Sequence, residues 1–216
     1  MKRRSFNHWL IASLAMSPLA GVAAPRAAGS EEVMPYLTVG PIESDSDTVR
    51  LFFSYACSFC RASHEALVAW GKSLPTPFQF RETPVIGDPS SLTAAIAFYA
   101  VRKIAPGKLG SYNRLIYEGV QQKGRALTDM KLYAEAVHRV GIDLKHFGEA
   151  AASVEIKNIA TAAANLPKAY RISSTPSVAA GGRYVITPEV TRGVNENFMM
   201  LANGVISKVI HERGGA

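Results

Sequence analysis

The chain has 216 residues, of which 48% are hydrophobic and 19% charged, a composition that allows one good core with room for an inserted subdomain. It excludes a disordered chain, a collagen-like fibre and a repeat array. The formal charge is +7, but Lys2, Arg3, Arg4 and Arg26 stand in residues 1–29 with no acid among them, so the remainder is only mildly basic. No basic stripe interleaved with aromatics follows, and no nucleic-acid partner is expected.

Residues 1–29 read as an export signal: a charged start, an apolar run from Trp9 to Ala24, then small residues up to Ser30. The run is short for a membrane span, which needs about 20 residues, and Pro18 interrupts it. "RRSF" resembles a twin-arginine signal, and the general secretory route stays open. The expected destination is the periplasm, an oxidising compartment.

Tyr36 to Val39 is a candidate edge strand, and Val49 to Phe53 a central strand covered on both faces. Leu67, Trp70 and Leu74 then recur at helical spacing until Pro75 and Pro77 end the helix. Phe78 to Glu82 alternates as a half-buried strand. From Pro89 to about Arg171 the texture is helical. Leu92, Ala95, Ile96 and Tyr99 share one face, and Tyr112, Leu115, Ile116 and Gly119 a second. Asp129 or Thr128 can cap a third helix, Asp143 a short fourth, and Val154 to Tyr170 is a fifth. Strands return at Ser177 to Ala180 and Arg183 to Thr187 around a Gly181-Gly182 hairpin signal. A last helix carries Phe198, Leu201, Val205 and Val209, with Asn195 as its cap and Gly214 past its end. The order is β-α-β, a block of helices, then β-β-α. It predicts one sheet built from the two ends of the chain with an all-helical insertion between them.

Both cysteines of the chain lie in "CSFC", after the central strand and at the mouth of a helix. There, unpaired N–H groups and the helix dipole favour a thiolate. Cys57 should be the exposed, attacking sulfur and Cys60, one turn inside, the buried resolving one. Two other readings remain: unrelated buried cysteines, or a metal half-site in which Cys57, Cys60 and His64 face one way. A lone helical His such as His64 is otherwise expected to be a solvated surface residue. Proline before a strand is the second signal. In Ser174-Thr175-Pro176-Ser177-Val178 it is either a plain edge-strand proline or a cis peptide that leaves the Thr175 backbone free to pair with an incoming chain.

"VRLFFSYAC", "CSFC" with its helix, the helical insertion and "STPSV...GGRYVI" together resemble the periplasmic DsbA-type thiol:disulfide oxidoreductases, over about residues 35–213. The resemblance implies an α/β thioredoxin fold, a central mixed sheet flanked by helices, with an inserted all-helical domain. Its expected limits are 30–86 and 166–216 for the two thioredoxin parts and 87–165 for the insertion. It implies Cys57 and Cys60 as catalytic residues, and Ser58, Phe59, Thr175 and the cis-proline Pro176 as residues that bind and orient substrate. No metal and no cofactor beyond a Cys57–Cys60 disulfide is expected. The implied partners are reduced or misfolded exported proteins and a membrane quinone-linked oxidase of DsbB type, with the protein a monomer.

Three departures stand out. Ser58-Phe59 replaces the Pro-His of the best-known oxidases, Leu51 stands where many relatives have a buried acid, and Thr175 is a hydroxyl residue also seen in the isomerase and reductase branches. The expectation is therefore an enzyme that introduces disulfides into exported proteins. A reductase or isomerase of the same fold is the alternative, followed by a metal-binding or holdase protein using Cys57, Cys60 and His64.

Overall fold

The computed structural model describes residues 34–191 and 195–214. The leader read at 1–29 lies outside them, as does the side chain of Asn195, the expected cap of the last helix. The first strands and helix are β1 (Leu37–Thr38), β2 (Thr48–Phe53), α1 (Ser58–Lys72) and β3 (Gln79–Pro84). The helical block follows as α2 (Pro89–Ile104), α3 (Leu109–Gln121), α4 (Met130–Arg139), α5 (Leu144–Ala152) and α6 (Val154–Ala169). The chain then returns to the sheet as β4 (Ser177–Ala180), β5 (Tyr184–Ile186) and α7 (Asn195–Gly214). The strands lie in the order β1-β5-β4-β2-β3. Only the β2–β3 pair is parallel among the described pairings, so the sheet is mixed. Among the described residues no helix is long and apolar enough to cross a membrane.

β2 is central because its side chains are apolar on both faces. Val49 and Leu51 point to one side, where Leu67 of α1 and Phe198, Val205 and Val209 of α7 cover them. Phe52 points to the other and packs with Val39, Tyr170, Ala179 and Val185. All four β2 apolar side chains from Val49 to Phe53 are fully buried. Each such burial stabilises the fold by roughly 1.5–3 kcal/mol relative to exposure. On the Phe52 side a buried polar buckle closes the sheet. Arg50 donates to Asp45 at 2.7 Å and to Thr83 at 2.9 Å, and the Tyr170 hydroxyl donates to Asp45 at 2.6 Å.

The hairpin signal becomes a tight turn. Gly181 and Gly182 have φ of 62° and 67°, and the Arg183 N–H donates to the Ala180 carbonyl at 3.2 Å. Ala180 nevertheless pairs with Tyr184, so Arg183 is an extra residue and the strand starts one position later than the sequence suggests. A Cβ at Gly182 would come within 2.3 Å of the Ile42 carbonyl oxygen, so the turn also needs glycine for close approach.

In the helical block, Asp129 and Asp143 cap α4 and α5 as expected, through Lys131 N–H at 3.0 Å and His146 N–H at 2.8 Å. Asp88, not singled out beforehand, caps α2 in a reciprocal box with Ser91. The one-faced stripe read for α2 is too narrow. Ala94, Ala95 and Ala97 to Val101 are all buried, because α3, α5, α6 and β3 surround this helix. The expected limit between residues 165 and 166 falls inside α6. Leu166 there packs against both the helical core and the Phe52 face of the sheet. A second cis bond, Thr76–Pro77, follows α1 and was not anticipated.

Candidate active site

β2 ends at Phe53, and a short turn delivers Cys57 to the N-terminus of α1. Cys57 is the N-cap, with extended φ −86° and ψ 119°, and its Sγ accepts the Cys60 N–H at 3.3 Å. Asp, Asn, Ser and Thr usually place an oxygen there; here sulfur takes the position and collects the donors that the first turn leaves unpaired. In its protonated form the Cys57 thiol donates to the Thr175 carbonyl at 3.1 Å. Thr175 is half-buried, its bond to Pro176 is cis, and Pro176 is buried at the start of β4. Both cysteines are free thiols, Cys57 partly exposed and Cys60 only 1% exposed. Cys60 Sγ accepts the Ser54 N–H at 3.5 Å.

These contacts separate the two sulfurs chemically. The hydrogen bond from the Cys60 thiol is the largest influence on Cys57. Together with the Thr175 side chain and the Cys60 and Phe59 N–H groups it outweighs partial burial and lowers the Cys57 pKa to about 5. The same bond, now stabilising the protonated partner, and then burial push Cys60 far up. At neutral pH the outer sulfur is a thiolate and the inner one a thiol. Of the residues expected to handle substrate, Thr175 touches Cys57, and Pro176 follows it. Ser58 and Phe59 project outward, Phe59 with 61% of its surface exposed.

The reading of His64 needs correction. It is neither a solvated residue nor turned to the cysteines as a ligand. It is 5% exposed, one helical turn beyond Cys60 on the same side of α1. Its Nε2 donates to Glu82 Oε1 at 2.8 Å, and its Nδ1 meets the Tyr117 hydroxyl at 3.0 Å. Asn113 donates to the same Glu82 oxygen at 3.1 Å and accepts the Tyr55 hydroxyl at 2.5 Å. Among the described residues no three His, Cys, Asp or Glu side chains are placed to hold a metal ion. Glu82 pairs in register with Leu51, so an acid does sit beside that strand position, on β3 rather than β2. A cavity of about 660 Å³ between α1 and α3 is lined by Arg61, His64, Glu82, Asn113, Arg114 and Tyr117.

Sequence reasoning also missed Gln121. Its side-chain amide donates to the Tyr55 carbonyl at 2.7 Å and the Cys57 carbonyl at 2.9 Å. Burial of His64 could have been read from its spacing, since Cys60, His64 and Leu67 share a helical face. Nothing local marks Gln121, which lies at the far end of a helix in the insertion.

Residues 61–194 match the DSBA-like thioredoxin domain family, a span that begins directly after Cys60. Relatives align across the motif as well. The thiol:disulfide interchange protein DsbA of Pseudomonas aeruginosa is 26% identical over 94% of this chain and 96% of its own length. That of Bordetella parapertussis is 24% identical over 87% and 89%. Among solved structures, Pseudomonas aeruginosa DsbA superposes with a TM-score of 0.73 at 22% identity, over 84% of this chain and 93% of that one. Reduced DsbA1 from Neisseria meningitidis gives 0.71 at 23%, over 88% and 100%. With the cysteine pair at the helix mouth, the thioredoxin sheet and a match covering more than half its length, this chain belongs to the DSBA-like thioredoxin domain family and is a thiol:disulfide oxidoreductase.

Proposed function

We propose that the protein acts in the periplasm as an oxidant, introducing disulfides into exported proteins with no cofactor beyond its own Cys57–Cys60 disulfide. The observation that carries this reading is the asymmetry of the two sulfurs: a half-exposed Cys57 with a pKa of about 5 over a buried, protonated Cys60. A thiolate stabilised this way favours the reduced form of the site, and a site that prefers to be reduced takes electrons from its client. A client thiolate attacks Cys57 Sγ, the Cys57–Cys60 bond breaks, and its electron pair goes to Cys60, which takes up a proton. A second client thiolate then attacks the mixed disulfide and releases Cys57 as a thiolate.

The client lies extended beside Thr175, whose backbone offers strand-like pairing, and against the exposed ring of Phe59. The roles of Ser58, Phe59, Thr175 and Pro176 belong to this reading. So do a membrane quinone-linked oxidase that restores the disulfide and a monomeric state. Equilibration with glutathione tests the direction. A potential above about −180 mV is expected, whereas a value near the roughly −270 mV of thioredoxin would turn the protein into a reductase.

A further inference from the structure

We infer that Gln121 is a positioning residue for the exchange reaction, its side-chain amide clamping the turn that carries Cys57. The inference rests on Cys57 being the attacking sulfur. The turn between β2 and α1 is closed by the Cys57 N–H donating to the Ser54 carbonyl at 3.1 Å, which leaves the Tyr55 carbonyl facing the helical block. The Cys57 carbonyl accepts the Arg61 N–H at 3.1 Å and has one lone pair left. Gln121 Nε2 carries two hydrogens and gives one to each of these oxygens, at 2.7 and 2.9 Å. That uses the full donor capacity of the nitrogen. A carboxylate of the same shape could not donate to either.

The clamp belongs to a larger arrangement. Asn113, Tyr117 and Gln121 recur every fourth residue along one side of α3. Asn113 accepts the Tyr55 hydroxyl, the Tyr117 ring meets the Tyr55 ring edge-on at 5.0 Å, and Gln121 holds the Tyr55 and Cys57 carbonyls. One helix of the insertion therefore grips the turn at hydroxyl, ring and backbone. The consequence is local. As a thiolate, Cys57 Sγ is held by the Cys60 N–H at 3.3 Å, and hydrogen bonds weaken steeply as alignment is lost. Fixing the carbonyl of Cys57 fixes the direction in which its side chain leaves the backbone. Pointing the two carbonyl oxygens at Gln121 also gives them a partner on the side of the insertion.

Gln121→Met keeps the length of the side chain and removes both donors. The full chain carrying it should stay folded, while its thiolate absorbance titrates about half to one unit higher than wild type, a threefold to tenfold weaker hold on the thiolate. The equilibrium constant with glutathione should move by a similar factor toward the protein disulfide, and tenfold corresponds to about 30 mV. A purely structural role would lower the melting temperature and leave both quantities unchanged, and that result overturns the inference. Should the variant fail to fold, the wild type decides. Hydrogen exchange at the Gln121 side-chain amide should be slow in the dithiol form, and exchange at the rate of a free amide overturns the clamp. The titration needs no turnover. A wild type that titrates as expected but does not exchange with glutathione thus contradicts the proposed function and leaves the clamp to be judged on its own.

Discussion

The open end and the inner side of α1 satisfy their polar atoms under different rules. At the open end the donors turn to sulfur: the Cys60 thiol and the Cys60 N–H to Cys57, and the Ser54 N–H to Cys60. They converge on sulfur atoms and leave Cys57 partly in solvent. On the inner side, one turn beyond Cys60, side chains satisfy one another: His64 with Glu82 and Tyr117, Asn113 with Glu82 and Tyr55. The first arrangement polarises an atom that must react. The second fills its own valences and holds α1, β3 and α3 together. Backbone donors suit the reactive end because the fold fixes them in place, so they need no reorganisation when a thiolate forms.

The sharpest way to break this comparison is to remove the sulfurs. Cys57→Ser should abolish exchange with a protein client, whereas the Cys57 thiolate of Cys60→Ser should still attack a disulfide-bonded client, release one client sulfur as a thiolate and accumulate a mixed disulfide through Cys57. Mass spectrometry of the trapped species distinguishes the two. Equal activity of both variants would mean that the outer and inner sulfurs are not distinct.

The inner side should answer as structure. Glu82→Ala removes the acceptor shared by His64 and Asn113 and leaves both buried groups without it. Loss of one partner from such a site costs about 3 kcal/mol, measurable by urea unfolding. Glu82→Ala with wild-type stability would contradict the assignment of this cluster to holding the helices together.

The open end also answers to pH. The Cys57 pKa is lowered from its ordinary value to about 5 in the folded dithiol form. Between that value and the ordinary thiol range the unfolded chain binds the proton that the native site has released, so stability rises with pH across this window. It is complete above the unfolded pKa and lost as pH falls through about 5. Cys60, whose pKa is raised, adds no slope below the ordinary thiol range. Comparing the reduced wild type with Cys57→Ser at each pH isolates the contribution. Parallel stability curves from pH 5 to 9 would show that Cys57 is not perturbed.

Much of the fold was legible because its signals are local. The apolar run Val49–Phe53, the Asp129 and Asp143 caps and the Gly181-Gly182 turn each name their structure within a few residues. So does the placing of one exposed and one buried sulfur at the mouth of α1. What stayed hidden is built across the chain. Gln121 and Cys57 are 64 residues apart, Asn113 and Tyr55 58. Neither pairing leaves a periodic trace, since a polar residue on an amphipathic helix reads the same whether it meets solvent or a buried carbonyl. Leu51 illustrates the same limit. A buried carboxylate was missing from that position, but its neighbour in register, Glu82, supplies one from another strand. Strand pairing, not composition, decides that.

Titrating the thiolate absorbance of the fully reduced protein examines the asymmetry of the two sulfurs most directly. One transition centred near pH 5 is expected, with the second thiol silent throughout the ordinary range. A single midpoint near the unperturbed value of about 8.5, or two thiols titrating together there, would contradict it.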